Sequence, residues 1–474
     1  MHRLLLPLLS CLALLSCLAL LPAVDAGKPT YEVIDWSMAA KGLAGEAKGE
    51  LKHPLKGSSV MRYHIYAPAT LPDQPILGLI LAFHGLNGNE DNMTGQAHQS
   101  FSEIGVANGY LIAGGKSLGN GWGAGDEQAL LQFVDWLQTI YPIDKRRMFI
   151  WGHSNGGFMS SWFGSRHADR FAGLVRFSGY SQDVPDKPGM GLEYYVVHGD
   201  ADPTVKVDQS RALRDRLIHG FHYVYREIHD ADHGSFFAIK PLRDDAARWV
   251  DALRHKEVAA SERERVWLKG LFADRSGDQL AKPESWTELV RIGGPLAWPI
   301  AVRAAKAKDA SVRLALALAC ARCRFDDDEA VAVLGRLSED ADAGVRTAAI
   351  AALAMHANWR DQAAQTALVH LALNKKRTVD DRLAATTGLA QALALPMLGT
   401  YTDDPALFDG TVALLDSDLD DIRRTIFAPI KPAATNGLGY DPLAPAPARK
   451  PTIDAWHAWF TTRSGTNGKP VAGK

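Results

Sequence analysis

From residue 59 to about residue 255, short apolar runs alternate with stretches in which apolar residues recur at helical spacing. Residues 61–66, 77–83, 111–113, 148–151, 174–177, 194–197 and 223–228 predict strands. Most are bounded by Gly, Pro or Asp, and short, nearly unbroken apolar runs of this kind suit parallel strands buried on both faces. Between them, residues 127–140, 158–166 and 209–219 predict helices, and residues 244–253 predict a closing one. The alternation predicts an α/β fold, a mostly parallel central sheet flanked by helices.

Beyond about residue 257 the strand pattern stops and Ala, Leu, Arg and Asp dominate. Segments ending in Arg313, Arg346, Arg382 and Arg423 share a weak theme of Asp, an apolar residue and Arg, each opening a helix-like run. Their spacing lies in the range of helical solenoid repeats, and the Asp is suited to cap a helix start. Residues 300–430 thus resemble HEAT-type repeats, the other reading being an irregular helical bundle. The expected layout is an α/β domain over 27–256, a helical connector over 257–299, the all-α HEAT-like repeats over 300–430, and a Pro/Ala-rich segment, short helix and tail over 431–474.

His2 and Arg3 precede a nearly unbroken apolar run from Leu4 to Leu21, and Ala23-Val24-Asp25-Ala26 offers small residues where a signal peptidase reads. This predicts a cleaved export signal over residues 1–26 and a secreted or periplasmic protein. An uncleaved anchor and a lipoprotein, on Cys11 or Cys17, are the alternatives. Removal of the leader would leave Cys320 and Cys323, a C-x-x-C inside a helical pattern without a second ligand pair for zinc. Two core cysteines, bonded to each other in an exported protein, are expected there.

A net charge of −2 gives no electrostatic reason to expect nucleic acid or an anionic membrane as partner. The acidic run Asp416–Asp421 lacks the Gly and Glu of a calcium loop, and Asp326–Glu329 reads as a helix start. Gly119–Gly125 lacks the context of a nucleotide-binding turn. No metal and no cofactor are expected.

Two pentapeptides match G-x-S-x-G, around Ser117 and around Ser154. The motif carries chemistry only on a sharp strand-to-helix turn that exposes the hydroxyl above a sheet. Gly152-His153-Ser154-Asn155-Gly156 follows a strand and precedes a helical run, whereas the copy at Ser117 enters a glycine-rich loop. Ser154 is therefore the candidate nucleophile, and Ser117 a loop residue near the mouth of the site.

A serine needs a base to take its proton and an acid to orient that base, in the chain order Ser, Asp, His. The strand at 194–197 runs into Asp200 and Asp202, and that at 223–228 runs into His229 and His233. Asp202 is preferred because Pro203 stiffens it, and His233 because Gly234 frees its loop; Asp200 and His229 compete. His198 precedes the acid and reads as a turn residue, and His153 as packing. The amides of Asn155 and Leu86 are the expected oxyanion donors, Gly85 being the alternative to Leu86. Trp122, Ser117 and Phe236 are candidate substrate contacts.

Together His84-Gly85, the stretch 141–147, Gly152–Gly157 and His198–Pro203 resemble the polyhydroxybutyrate depolymerase and feruloyl esterase group of α/β-hydrolases, over roughly residues 55–255. The resemblance implies ester hydrolysis outside the cell, with Ser154, Asp202 and His233 as triad. Asp232-His233-Gly234-Ser235-Phe236 departs from that group and is closer to dienelactone hydrolases, carboxylesterases and prolyl-oligopeptidase-type peptidases. The expected substrate is a small-molecule or polymer-linked ester. A serine peptidase and a non-catalytic binding protein are the other readings, and the helical repeats either bind a protein partner or brace the enzyme.

Overall fold

The computed structural model describes residues 30–31, 44–52, 59–180, 191–217, 220–274, 277–323, 327–359, 362–394 and 405–464. The leader expected over 1–26 with Cys11 and Cys17, the residues 218–219 expected to end a helix, Asp326, and the tail after residue 464 lie outside them. The chain forms two compact units. One comprises Met1–Tyr195, Asp208–Tyr223 and Phe236–Val250, the other Val196–Val207, Val224–Ser235 and Asp251–Lys474.

The strands are β1 (Thr30–Tyr31), β2 (Glu46–Lys52), β3 (Ser59–Tyr66), β4 (Leu77–Phe83), β5 (Tyr110–Gly115), β6 (Ile143–His153), β7 (Gly173–Phe177), β8 (Glu193–Gly199) and β9 (Tyr223–Ile228). Their order in the sheet is β1-β2-β3-β5-β4-β6-β7-β8-β9. β4 pairs in parallel with β5 and β6, and β6 with β7, whereas β3 is antiparallel to β2 and β5. Every residue of β4, β5 and β7 is buried, which is why these strands read as short apolar runs, interrupted in β7 by the buried Arg176.

Helices of the first unit are α1 (Glu90–Glu103), α2 (Glu127–Ile140), α3 (Asn155–Arg166) and α4 (Asp208–Leu217), with α5 (Lys240–Ala252) running past its end. Neither β2 nor α1 is legible in the hydropathy pattern. β2 buries only Ala47 and Leu51 among its described side chains, while its charged residues form ion pairs, Lys48 with Asp91 and Glu46 with the buried His64. α1 turns Thr94 and Ser100 inward with Met93, Ala97 and Phe101. Their hydroxyls donate to the carbonyls of Glu90 and Gln96, at 2.6 and 3.0 Å, so polar residues serve as core. The helix starts at Asn89, which forms a capping box with Asn92.

The chain leaves β4 for β5 on one side and returns through α2 to β6 on the other. The carboxyl ends of β4 and β6 therefore flank a crevice of the type in which open α/β sheets hold ligands. Register aligns them, Phe83 opposite Gly152, and His153 opposite Phe177 on the next strand.

The second unit is helical after residue 251, with α6 (Glu262–Ala273), α7 (Pro283–Ile292), α8 (Gly294–Ala304), α9 (Ala310–Cys320), α10 (Asp327–Leu337), α11 (Ala343–Asn358), α12 (Gln362–Leu373), α13 (Val379–Ala394), α14 (Pro405–Ala413), α15 (Asp420–Ile430) and α16 (Ala446–Ser464). A single core of Leu, Ala, Val and Ile runs through it from Leu268 to Trp456. Asp309 and Asp342 cap α9 and α11, accepting from the amides of Ser311 and Val345. The arginines of the weak repeat form a ladder. Arg313 donates to the carbonyls of Ala307 and Lys308 and makes a two-pronged pair with Asp340. Arg346 repeats this with the carbonyls of Asp340 and Ala341 and with Asp381. Arg382 reaches Ala372 O and Asp418, and Arg423 reaches Ser417 O and Pro442 O. Cys320 and Cys323 are both buried and unbonded to each other, in contrast to the expected disulfide, and burial raises the Cys320 thiol far above its ordinary range.

The ladder makes a pH prediction. The hydrogen bond from Arg382 draws the Asp418 carboxyl down to about 2, and that from Arg313 draws Asp340 below its usual range. A carboxylate with a depressed folded value stabilises the fold above its unfolded value near 3.9 and loses that contribution as pH falls through the folded value. Asp418→Asn is expected to lower Tm by about 1–3 °C at pH 7, a small effect because Asp418 itself is half-exposed. The difference from wild type shrinks between pH 4 and pH 2, read by thermal melts across that range.

Candidate active site

Ser154 is the residue between β6 and α3, with φ 58° and ψ −120°. A left-handed backbone at a non-glycine residue costs about 1–3 kcal/mol and persists only where its surroundings enforce it. The flanking glycines do so. A Cβ on Gly152 would lie 2.3 Å from the Gly156 carbonyl oxygen, and one on Gly156 would lie 2.0 Å from that of Phe83. A Cβ on Gly157 would meet Phe177 O at 2.9 Å. The elbow is fastened to the sheet by the Ser154 amide, which donates to Phe177 O at 2.9 Å. Asn155 opens α3, so its amide has no carbonyl of its own helix to bond and sits at the positive end of the helix dipole.

The loop after β4 passes beside the elbow. A Cβ on Gly85 would stand 3.5 Å from Ser154 Cβ. Next to both lies the glycine-rich loop that contains Ser117. One on Gly121 would meet Asn155 Oδ1 and Leu86 Cδ1, each at 2.7 Å. The buried carboxylate of Asp126 shapes this loop, accepting from the amides of Leu118 and Gly123 at 2.7 and 2.8 Å. The side chain of Asn155 holds it too, accepting from the Trp122 amide and donating to Trp122 O and to the Tyr180 hydroxyl.

Ser117, Trp122 and Phe236 are 3%, 4% and 4% exposed, so in this structure they present little surface to a substrate. The Ser117 hydroxyl donates to Gly119 O, the Trp122 indole donates to His84 O, and Phe236 stacks on Phe177 at 4.0 Å. Leu86 and Leu118, 63% and 61% exposed, are the large apolar side chains that these loops display. His153 packs against Phe236 and Phe237, at 5.1 and 5.0 Å between rings.

Asp202 and His233 belong to the second unit. His233 Nδ1 donates to Asp202 Oδ2 at 2.7 Å. Asp202 Oδ1 accepts from the amides of Thr204 and Val205, at 2.8 and 2.9 Å. Burial opposes the charge on Asp202, but the bonds from His233, Val205 and Thr204 outweigh it and hold the carboxyl below its usual range. His198 is fully buried and bridges the same turn, its Nε2 2.7 Å from Val205 O and 3.2 Å from Asp202 Oδ2. The rival residues form a pair of their own. His229 Nδ1 donates to Asp200 Oδ2 at 2.8 Å, and the Asp230 amide donates to Asp200 Oδ1 at 2.7 Å. That pair lies at the surface, and the Asp200 bond raises the His229 pKa. Asp232 and Ser235 bond around His233 and order its loop.

Residues 116–182, which include Ser154, match the model of the prolyl oligopeptidase family. The bifunctional acetylxylan esterase/xylanase XynS20E of Neocallimastix patriciarum is 26% identical over 166 residues, 34% of this chain and 24% of that protein. Acetylxylan esterase A of Aspergillus oryzae is 24% identical over 137 residues, 26% of this chain and 42% of that protein. The chain thus spans a quarter to under half of these relatives' lengths. A thermostable esterase of known structure matches 44% of this chain and 63% of its own, at 21% identity and a TM-score of 0.38. With the parallel sheet, the switch of strand order and the serine elbow already in view, the fold class is plain. The nine-stranded sheet with its flanking helices has the α/β-hydrolase fold. Among the described residues no helix is long and apolar enough to cross a membrane.

Proposed function

We propose that the chain is an exported serine hydrolase of carboxylic esters. Ser154 attacks the ester carbonyl while His233 takes its proton, Asp202 steadies the resulting imidazolium, and the amides of Asn155 and Leu86 receive the oxyanion. An acyl-enzyme forms and water releases the acid, with no cofactor. The observation that carries this reading is the left-handed turn at Ser154, set between a buried strand and a helix and enforced by glycines that leave no room for a side chain. The buried, amide-held Asp202 bonded to His233 supports the choice of acid and base.

Esters of small acyl groups on a polysaccharide, feruloyl esters and hydroxyalkanoate esters are the substrate classes in view. Similarity to the acetylxylan esterases supports the first of these. Leu86 and Leu118 are suited to contact an acyl or phenolic group. The match to the prolyl oligopeptidase family favours a second reading, a peptidase built on the same residues. The arginine ladder supports a HEAT-like arrangement in the helical unit, which would brace the enzyme or bind a protein partner.

A panel of nitrophenyl esters of increasing chain length, feruloyl ester, acetylated xylan, oligomeric hydroxybutyrate and short peptide anilides separates these readings. Esters are expected to turn over at least 100-fold faster than anilides. Faster anilide cleavage selects the peptidase, and absence of any turnover together with no fluorophosphonate labelling selects a binding protein.

A further inference from the structure

We propose that His84 is a positioning residue of the oxyanion hole, whose imidazole aims the Leu86 amide by holding the Gly85 carbonyl. This rests on the hydrolase reading above and adds to it a side chain that touches no reacting atom.

The imidazole is 1% exposed and bonded at both nitrogens. The Ser117 amide donates to Nε2 at 3.1 Å, and since an amide can only donate, Nε2 must carry the lone pair. The ring proton is therefore on Nδ1, which lies 2.7 Å from Gly85 O and donates to it. Burial favours this neutral form. Gly85 O accepts a second bond from the Gly88 amide at 3.0 Å.

The consequence follows from the planarity of the peptide bond. The Gly85 carbonyl and the Leu86 N–H belong to one rigid plane and point in opposite directions. Two donors that draw the carbonyl to one side thereby turn the Leu86 N–H to the other. Ser154 Cβ is within 3.5 Å of the Cβ position of Gly85, so this peptide lies beside the elbow. The circuit then closes on the other donor. The Trp122 indole donates to His84 O at 3.0 Å, and the backbone of Trp122 is clasped by the side chain of Asn155. The Asn87 amide donates to Asn120 O at 2.6 Å and ties the two loops again. Both expected oxyanion donors are thus parts of one hydrogen-bonded ring in which the glycine-rich loop is the link.

Two substitutions separate the bonds of His84. His84→Asn carries an amide nitrogen near the place of Nδ1 and retains a donor for Gly85 O while losing the acceptor for Ser117. His84→Gln reaches toward Ser117 and loses the donor to Gly85 O. Rates are referred to sites titrated with fluorophosphonate, so that a less stable variant is still read per folded site. His84→Gln is expected to lower kcat on a nitrophenyl ester by roughly 10- to 100-fold, less than outright loss of an oxyanion donor. KM stays within about threefold, because the hole serves the transition state more than the ground state. His84→Asn is expected to keep kcat within about threefold. Equal losses in the two variants, or losses carried by KM, overturn the proposal and leave His84 a structural residue. A wild-type protein without Ser154-dependent turnover instead ends the hydrolase reading itself.

Discussion

Replacing Ser154 by alanine is expected to lower kcat on an activated ester by roughly 10⁴- to 10⁶-fold. The change removes one oxygen and retains Cβ, so the left-handed turn carries the same strain as before and Tm stays within about 2 °C. Without the hydroxyl no acyl-enzyme forms, and fluorophosphonate labelling disappears in parallel. What remains is the roughly 10³–10⁴-fold acceleration over water that binding and the oxyanion donors give by themselves. Ser117→Ala is the control, since that hydroxyl is buried and donates to Gly119 O. Its loss is expected to cost less than tenfold. Full activity in the Ser154 variant with none in the Ser117 variant would mean that the other pentapeptide holds the nucleophile.

His233→Ala is expected to cost roughly 10⁴-fold or more in kcat, whereas His229→Ala changes it by less than threefold. Both imidazoles are bonded through Nδ1 to an aspartate, so pairing by itself does not distinguish them. The surroundings do. Asp202 has a fully buried side chain and two backbone amides on its other oxygen, and it stays ionised well below neutral pH. Such a carboxylate fixes the imidazole tautomer with Nδ1 protonated and steadies the imidazolium when Nε2 gains a proton. Asp200 and His229 lie toward solvent, where water screens the same interaction. Asp202→Asn should therefore cost about 10⁴-fold, through the wrong tautomer, and Asp200→Asn little. The Ser154→Ala, His233→Ala double variant is expected to be no slower than Ser154→Ala, because the two act as one unit. A strongly impaired His229 variant beside an unaffected His233 variant would reverse the assignment.

Much of the α/β region is legible because burial on both faces leaves an apolar run. β4 coincides with the run at 77–83, and α2 with the helical pattern at 127–140. β6 is longer than its apolar segment because Asp144 and Arg146 pair with each other, which lets charged residues enter the buried strand. α1 escapes notice for a related reason, its inward Thr94 and Ser100 satisfying their hydroxyls within the helix. Hydropathy counts such residues as outside, while hydrogen bonding permits them inside.

The amino-acid order alone determined that a serine stands between two glycines after a strand and before a helix, and that acids and histidines follow two later strands. Those are local facts, governed by steric limits on backbone angles and by the periodicity of burial. Which acid meets which histidine, that the side chains of Asp126 and Asn155 shape the glycine-rich loop, and that His84 bonds both Gly85 and Ser117 were decided only by the tertiary structure. Asp202 with His233, Asn155 with Trp122 and His84 with Ser117 join residues far apart in the chain, where a hydrogen bond depends on distances of a few tenths of an ångström and leaves no period along the sequence.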